Sequence, residues 1–305
     1  GVTKVFRDFW GRAKARAVDG IDLEIRQGEV FGLLGPNGSG KSTTLKMILG
    51  LLHPTAGTIR IFGKPPHDVA VKTRIGYAPE ESYLYPYLTG EETLDLYGRL
   101  LDLPASERTR RTAQLLEMMG LAHTGRRPVI EFSKGMARRI SLAQALLNDP
   151  DLVMLDEPTA GLDPIGCRQF KELILQLAER GKTIILCSHL LADVQDVCDR
   201  IAIMYDGKIY AHGEMRSMLE QRDTCRFSVP QPSPEVTREL VRLMAEKLGR
   251  EPEIDHPART LEELFLATIE KARAKGAAEN SGVRHVFGLA PFLKATESTP
   301  PRWIS

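Results

Sequence analysis

Gly35-Pro36-Asn37-Gly38-Ser39-Gly40-Lys41-Ser42-Thr43 follows the apolar run Val30-Phe31-Gly32-Leu33-Leu34 and leads into a segment of helical character at 44–49. Buried strand, glycine-rich loop and helix, in that order, are the context in which this spacing makes a phosphate site. Glycines at 35, 38 and 40 allow a tight turn and a close approach to an anion with no Cβ in the way. The freed N–H groups and the positive end of the helix dipole then face phosphate oxygens. Pro36, Asn37, Ser39 and Thr43 complete the nucleotide-binding stretch. Lys41 is expected to reach the outer phosphates, and the Ser42 hydroxyl to ligate a magnesium ion bridging them. A ligand-free turn would leave the spacing and both flanks without a purpose. The expectation is a nucleoside-triphosphate site.

Around this stretch the chain alternates. Residues 1–6 and 21–25 read as strands, joined by a basic segment at 7–17 that also carries Phe9 and Trp10. Residues 58–62 alternate as a strand does, and 74–78 form another, closed by Pro79. From 88 to 121 the period becomes helical, with Leu94, Tyr97 and Leu101 on one face, Leu115, Met118 and Met119 extending the apolar set in the next helix, and the Met pair as core filling. A small-residue loop at 132–136 leads into a helix at 137–147. Leu152-Val153-Met154-Leu155 reads as a strand buried on both faces. Helix 170–180, strand 183–187 and helix 190–198 follow, and Asp206-Gly207 marks a hairpin between 201–205 and 208–211. Strands alternating with helices argue for an α/β core with a largely parallel sheet and a helical lobe inserted at about 85–135.

Beyond residue 220 the character changes. Pro230, Pro232 and Pro234 mark a linker, and two amphipathic helices, one with Val236, Leu240, Leu243 and Met244 and one at 261–269, suggest a small module over 221–275. The tail at 276–305 lacks periodicity and is expected to be loosely ordered.

Composition narrows the class. A length of 305 residues suits one large or two unequal domains. A net charge of +1 argues against a nucleic-acid protein working by bulk electrostatics. Cys167, Cys187, Cys198 and Cys225 show no C-x-x-C spacing and no secretory signal is visible, which points to reduced cytosolic thiols. Without a run of about twenty apolar residues, the chain is not expected to span a bilayer. Gly1 falls partway along a strand, so a few native residues are expected ahead of it.

Leu155-Asp156-Glu157 ends the buried strand, where open α/β sheets place their ligand-contacting groups. Asp156 is suited to magnesium through water. Glu157 is suited to polarise an attacking water, help typically worth about 10²- to 10⁴-fold.

With these motifs in order, residues 2–220 resemble an ATP-binding cassette (ABC) transporter ATPase. The carriers of the likeness are the phosphate loop, Phe132-Ser133-Lys134-Gly135-Met136, Leu155-Asp156-Glu157-Pro158, Ala160-Gly161-Leu162-Asp163 and Ser188-His189. The family's signature loop is written Leu-Ser-Gly-Gly-Gln; Ser133 and Gly135 match it, whereas Phe132, Lys134 and Met136 depart from it. Similar substituted signatures occur in family members serving bacterial exporters.

The resemblance implies a P-loop NTPase core with a mainly parallel sheet, an N-terminal antiparallel β-subdomain, the helical lobe and a small C-terminal α+β or helical module. It also implies ATP and Mg2+ as ligands, and two cassettes, a homodimer in the simplest case, paired head to tail. Ser133, Lys134 and Gly135 of one copy would cap the triphosphate held by the other, with Asp163 crossing the interface and His189 contacting the γ-phosphate. Phe6 aligns with the residue that stacks on adenine, with Phe9 and Trp10 as rivals. Glu80 stands where the family has a magnesium-touching Gln that senses the membrane partner. The implied setting is the cytoplasmic face of a membrane, against a separate transmembrane permease met near Tyr83, Tyr85 and Tyr87. The competing reading is a soluble ABC ATPase acting on nucleic acid or ribosomes. Such relatives usually carry two cassettes or a long coiled coil, and neither is visible here. A nucleotide kinase or GTPase would leave 132–136 and His189 without an account.

Overall fold

A computed structural model describes residues 1–10, 12–220, 229–249, 252, 254, 264, 267–269 and 288–295. Its elements are β1 (Val2–Arg7), β2 (Ala13–Ile21), β3 (Val30–Leu34), α1 (Lys41–Ile48), α2 (Val69–Lys72), β4 (Ile75–Ala78), α3 (Gly90–Leu100), α4 (Ala105–Met118), α5 (Lys134–Leu146), β5 (Leu152–Asp156), α6 (Pro164–Glu179), β6 (Thr183–Ser188), α7 (Leu191–Gln195), β7 (Arg200–Tyr205), β8 (Lys208–Glu214), α8 (Met215–Leu219) and α9 (Pro234–Leu248). They divide into two units. One is Gly1–Met218 with Glu279–Ser305, and the other is Leu219–Ala278.

Six strands form the central sheet in the order β4-β5-β6-β3-β7-β8, parallel except for β8. Every residue of β3, β5 and β6 is buried, as their unbroken apolar runs require. Alternate side chains serve opposite faces: Val30, Leu34, Val153, Leu155, Ile184 and Leu186 pack with the helical lobe. Phe31, Leu33, Met154 and Ile185 pack instead with α1 and with Val18 and Ile21 of β2. The register pairs Leu34 with Ser188 and Asp156 with Cys187. The carboxyl ends of β3, β5 and β6 therefore finish side by side. Met118 and Met119 are buried core residues.

Several elements differ from expectation. The second strand of the N-terminal hairpin is β2, at 13–21 rather than 21–25. Its exposed half carries Lys14 and Arg16, and the backbone ladder to β1 supplies the pairing without apolar alternation. Residues 58–62 form no strand. Ile61 and Lys64 exchange backbone hydrogen bonds around Phe62 and Gly63, both at positive φ, and this tight turn ends the extended run. The helix α5 begins at Lys134, inside the expected loop, because the Ser133 Oγ accepts from the Met136 N–H. Likewise α6 begins at Pro164, since the Asp163 Oδ1 accepts from the Gly166 N–H at 2.6 Å.

Of the tail at 276–305 only residues 288–295 are described, and these depart from expectation. Ala290, Phe292 and Leu293 are buried in the main core, the Arg111 guanidinium lies 4.8 Å over the Phe292 ring, and Arg180 donates to the Leu293 carbonyl. Residues 288–295 are therefore a packed strap rather than loose chain. In the second unit, α9 is capped by Ser233 and ends at Gly249 in the left-handed region; the helix expected at 261–269 lies largely outside the described residues. Among the described residues no helix is long and apolar enough to cross a membrane.

Candidate active site

The loop between β3 and α1 is closed by its glycines. A Cβ at Gly35 would come 2.2 Å from the Met204 carbonyl oxygen, and one at Gly40, which sits at φ 104, would come 2.4 Å from that of Ala17. Pro36, Asn37 and Gly38 form the exposed tip, Ser42 and Thr43 are half-buried, and Ser39 is buried with its Oγ unpartnered. The α1 N-terminus has no side-chain cap, so its N–H groups are open to an anion. Lys41 is buried and folds back on the loop, donating to the carbonyls of Gly35 at 2.7 Å and Pro36 at 3.2 Å.

The ends of β5 and β6 bring the acidic pair to this loop. Glu157 Oε1 lies 3.9 Å from the Lys41 Nζ, and Oε2 lies 2.8 Å from the His189 Nδ1. The Ser188 hydroxyl and the His189 N–H each stand 3.4 Å from that same Oε2. Glu157 is held at φ 48, a region that is uncommon for a residue with a side chain. Its Oε1 and the Asp156 Oδ1 are both buried without a hydrogen-bond partner. Burial pushes the Asp156 carboxyl above the usual carboxylate range, and Glu157 and Glu80 add to the push; the Ser42 hydroxyl, which donates to it, and Lys41 oppose. Tyr77 is pushed up to about 12, again by burial first and by Asp156 next.

The donor set fits a hard cation of limited appetite. Two buried carboxylate oxygens lack a hydrogen-bond partner, a serine hydroxyl adjoins one carboxylate, and among the described residues no group of three His, Cys, Asp or Glu side chains is placed to hold a metal ion by itself. Such a site suits an ion completed by phosphate oxygens and water rather than by a protein cage.

The remaining expected residues lie elsewhere in the same unit. Ser133 and Lys134 are exposed at the start of α5, and a Cβ on Gly135 would only touch Leu162 at 3.4 Å. Asp163 is exposed and caps α6. Phe6 is exposed on β1 with the Lys4 Nζ 5.5 Å over its ring, while Phe9 and Trp10 project further from the hairpin as an edge-to-face pair. Glu80 is exposed just past β4, followed by the exposed rings of Tyr83, Tyr85 and Tyr87.

A family model described as "ABC transporter" matches residues 18–160. An uncharacterized ABC transporter ATP-binding protein of Nostoc sp. is 45% identical over 224 residues, covering 72% of this chain and 67% of that protein. The Nod factor export ATP-binding protein I of Burkholderia orbicola is 40% identical, covering 68% and 69%. Among solved structures, a dimeric ATP-binding cassette in a post-hydrolysis state with ADP and Pi superposes with a TM-score of 0.65 at 28% identity, covering 70% of this chain and 97% of that one. The chain belongs to the ABC transporter ATP-binding family.

One contributor to this cassette's site, Arg138, went unnoticed in the sequence, and Ser188 was named there only beside His189, without a role of its own. Ser188 donates to Glu157 and also accepts from the Leu190 N–H at 3.0 Å, which sets the turn that presents His189. Arg138 sits buried behind the acidic pair and donates to the carbonyl of Asp156. Its only sequence signal was a charged residue at a core register of α5, between Met136 and Ile140.

Proposed function

We propose that this cassette hydrolyses ATP as a dimer and thereby drives a separate membrane permease, in the direction of export. The observation that carries the reading is the convergence of Lys41, Asp156, Glu157 and His189 at one sheet end, with unpartnered carboxylate oxygens facing an uncapped helix N-terminus. On ATP binding, Lys41 exchanges the Gly35 and Pro36 carbonyls for phosphate oxygens, and the loop and α1 N–H groups take the rest. Ser42 and Asp156 would hold Mg2+, which would supply positive charge against the phosphates. The Glu157 Oε1, which has no hydrogen-bond partner, accepts the proton of the attacking water, while His189 and Ser188 fix the opposite oxygen so that the carboxylate points correctly. Phe6 offers the adenine a ring face, and Glu80 adds a carboxylate near the metal.

The second half of the site comes from another copy. Ser133, Lys134 and Gly135 open α5 towards solvent, where helix N–H groups, a hydroxyl and a cation suit a triphosphate presented by a partner. Asp163 lies at the same exposed edge, past Gly161, whose added Cβ would meet the Lys134 Cδ at 3.8 Å. Export is supported by the Burkholderia relative, whose name assigns it to Nod factor export. The exposed Tyr83, Tyr85 and Tyr87 suit a protein partner, since Tyr is enriched at interfaces. In this reading the chain is peripheral, held at the membrane by the permease. Isolation of the complex from its native membrane tests the partner: a co-purifying multi-span protein is the expected result, and recovery with ribosomes or DNA would refute it.

A further inference from the structure

Arg138 is 5% exposed and lies in the second turn of α5. Its Nη1 donates to the carbonyl of Pro79 and, at 3.0 Å, to that of Glu80. Its Nη2 donates to the carbonyl of Asp156, and its Nε to that of Pro158 at 3.2 Å. These four acceptors belong to two segments, the turn after β4 and the end of β5. The parallel ladder between those strands stops at the pair Ala78 and Leu155. Beyond that point the guanidinium continues the connection, because its planar fork carries several donors in fixed directions. Burial disfavours this charge most and pulls the guanidinium pKa down, and the nearby carboxylates of Asp156, Glu80 and Glu157 oppose that pull.

We propose that Arg138 is a positioning residue that clips the Glu80 turn to the Asp156–Glu157 strand end and so holds the acidic pair in place. The inference rests on the reading that this pair acts on ATP. A neighbour separates positioning from mere burial. Arg139 is also buried, yet it bonds the Met119 carbonyl at 3.2 Å and the Gln169 Oε1 at 2.6 Å, touching neither segment.

The test uses the full chain with Arg138→Gln, Arg138→Lys and Arg139→Gln. ATP turnover, the dissociation constant of a fluorescent ATP analogue, and amide hydrogen exchange in peptides 79–83 and 156–160 are measured. Both Arg138 variants are expected to lose about tenfold or more in kcat while the dissociation constant stays within about threefold, a loss confined to the chemical step. Exchange should rise in both segments together, with peptides 30–43 unchanged. Arg139→Gln should leave turnover and exchange in 79–83 as they are. Equal turnover losses in Arg138→Gln and Arg139→Gln, or loosening of one segment alone, would overturn the proposal. Should neither Arg138 variant fold, exchange in the unsubstituted chain decides: the two segments must open with a common protection, and independent opening refutes the clip. Full turnover in Glu157→Gln would instead refute the role of the acidic pair, leaving the exchange result to stand on its own.

Discussion

Two helices of this cassette begin at a glycine-bearing loop, and their beginnings are opposites. At α1 the cap position is Gly40 in the left-handed region, no side chain satisfies the first N–H groups, and Lys41 is buried against its own loop. At α5 the Ser133 hydroxyl already accepts from the Met136 N–H, and Lys134 stands in solvent. The first start is enclosed, strained and short of acceptors; the second is capped and presented outward. An uncapped helix start beside two carboxylates, each with one buried oxygen that accepts no hydrogen bond, is expensive to keep without a ligand, because buried polar groups forgo water. A capped start costs nothing when alone. The contrast fits a division of labour in which each chain holds one triphosphate tightly and touches another from outside.

Removing the chemistry at the first start gives the largest effect. Glu157→Gln preserves shape but gives up the proton acceptor, and turnover should fall by about 10²- to 10⁴-fold. Nucleotide should remain bound, since Lys41, Ser42 and the loop are untouched. Size measurement with and without ATP should then show a trapped dimer. A strictly monomeric, nucleotide-loaded variant would break the comparison, because the second start would have nothing to touch.

Whether the two starts work in different copies is settled by mixing. Lys41→Ala disables the first start and Ser133→Ala the second, and each variant alone should be nearly inactive. In a mixed dimer both defects fall on one composite site, leaving the other intact. Random pairing of a head-to-tail dimer then restores roughly a quarter of normal turnover if the sites are independent. No recovery would mean that Ser133 serves the triphosphate of its own chain. Thermal unfolding controls for the lost cap, worth about 1 kcal/mol at such a position.

The first start was far more legible in the sequence than its supports. Its loop, the acidic pair and His189 are chain-local patterns at strand ends, and periodicity sufficed to place those strands. Arg138 was barely legible, because its acceptors lie 18 and 59 residues away and its one local sign was a charge at a core register of α5. The hairpin strand β2 was misplaced because backbone pairing alone holds its basic half. In the tail, Leu289-Ala290-Pro291-Phe292-Leu293 was an apolar cluster too short for a period; its partners Arg111, Met118 and Arg180 are scattered. Local chemistry survives in sequence, whereas contacts across the chain do not.

A moderate effect sharpens the claim that the first start is strained when empty. Burial holds the Asp156 carboxyl above its ordinary range, so the folded chain binds its proton more tightly than the unfolded chain does. This contribution therefore favours folding at low pH and is lost as pH rises through the raised value, the reverse of a salt-bridged aspartate. Asp156→Asn removes it. The nucleotide-free variant should melt a few degrees higher than the natural chain at neutral pH, with the advantage shrinking on acidification, while magnesium-dependent ATP hydrolysis is lost. A lower melting point at neutral pH would show that the charged carboxylate stabilises the empty site.

The smallest expected effect concerns Glu80, on the margin of the first start. Its side chain is exposed, and the contact that ties this turn to the acidic pair is made by its carbonyl rather than its carboxylate. The carboxylate adds negative charge beside Asp156, where it works against a second anion. Glu80→Gln keeps the carbonyl, the length and an oxygen able to face a cation, and it relieves part of that repulsion. Turnover should accordingly stay within about tenfold of normal, less than 1.4 kcal/mol of barrier. A larger loss would make the Glu80 carboxylate a working part of the enclosed site, and the boundary drawn between its core and its margin would have to move outward to include it.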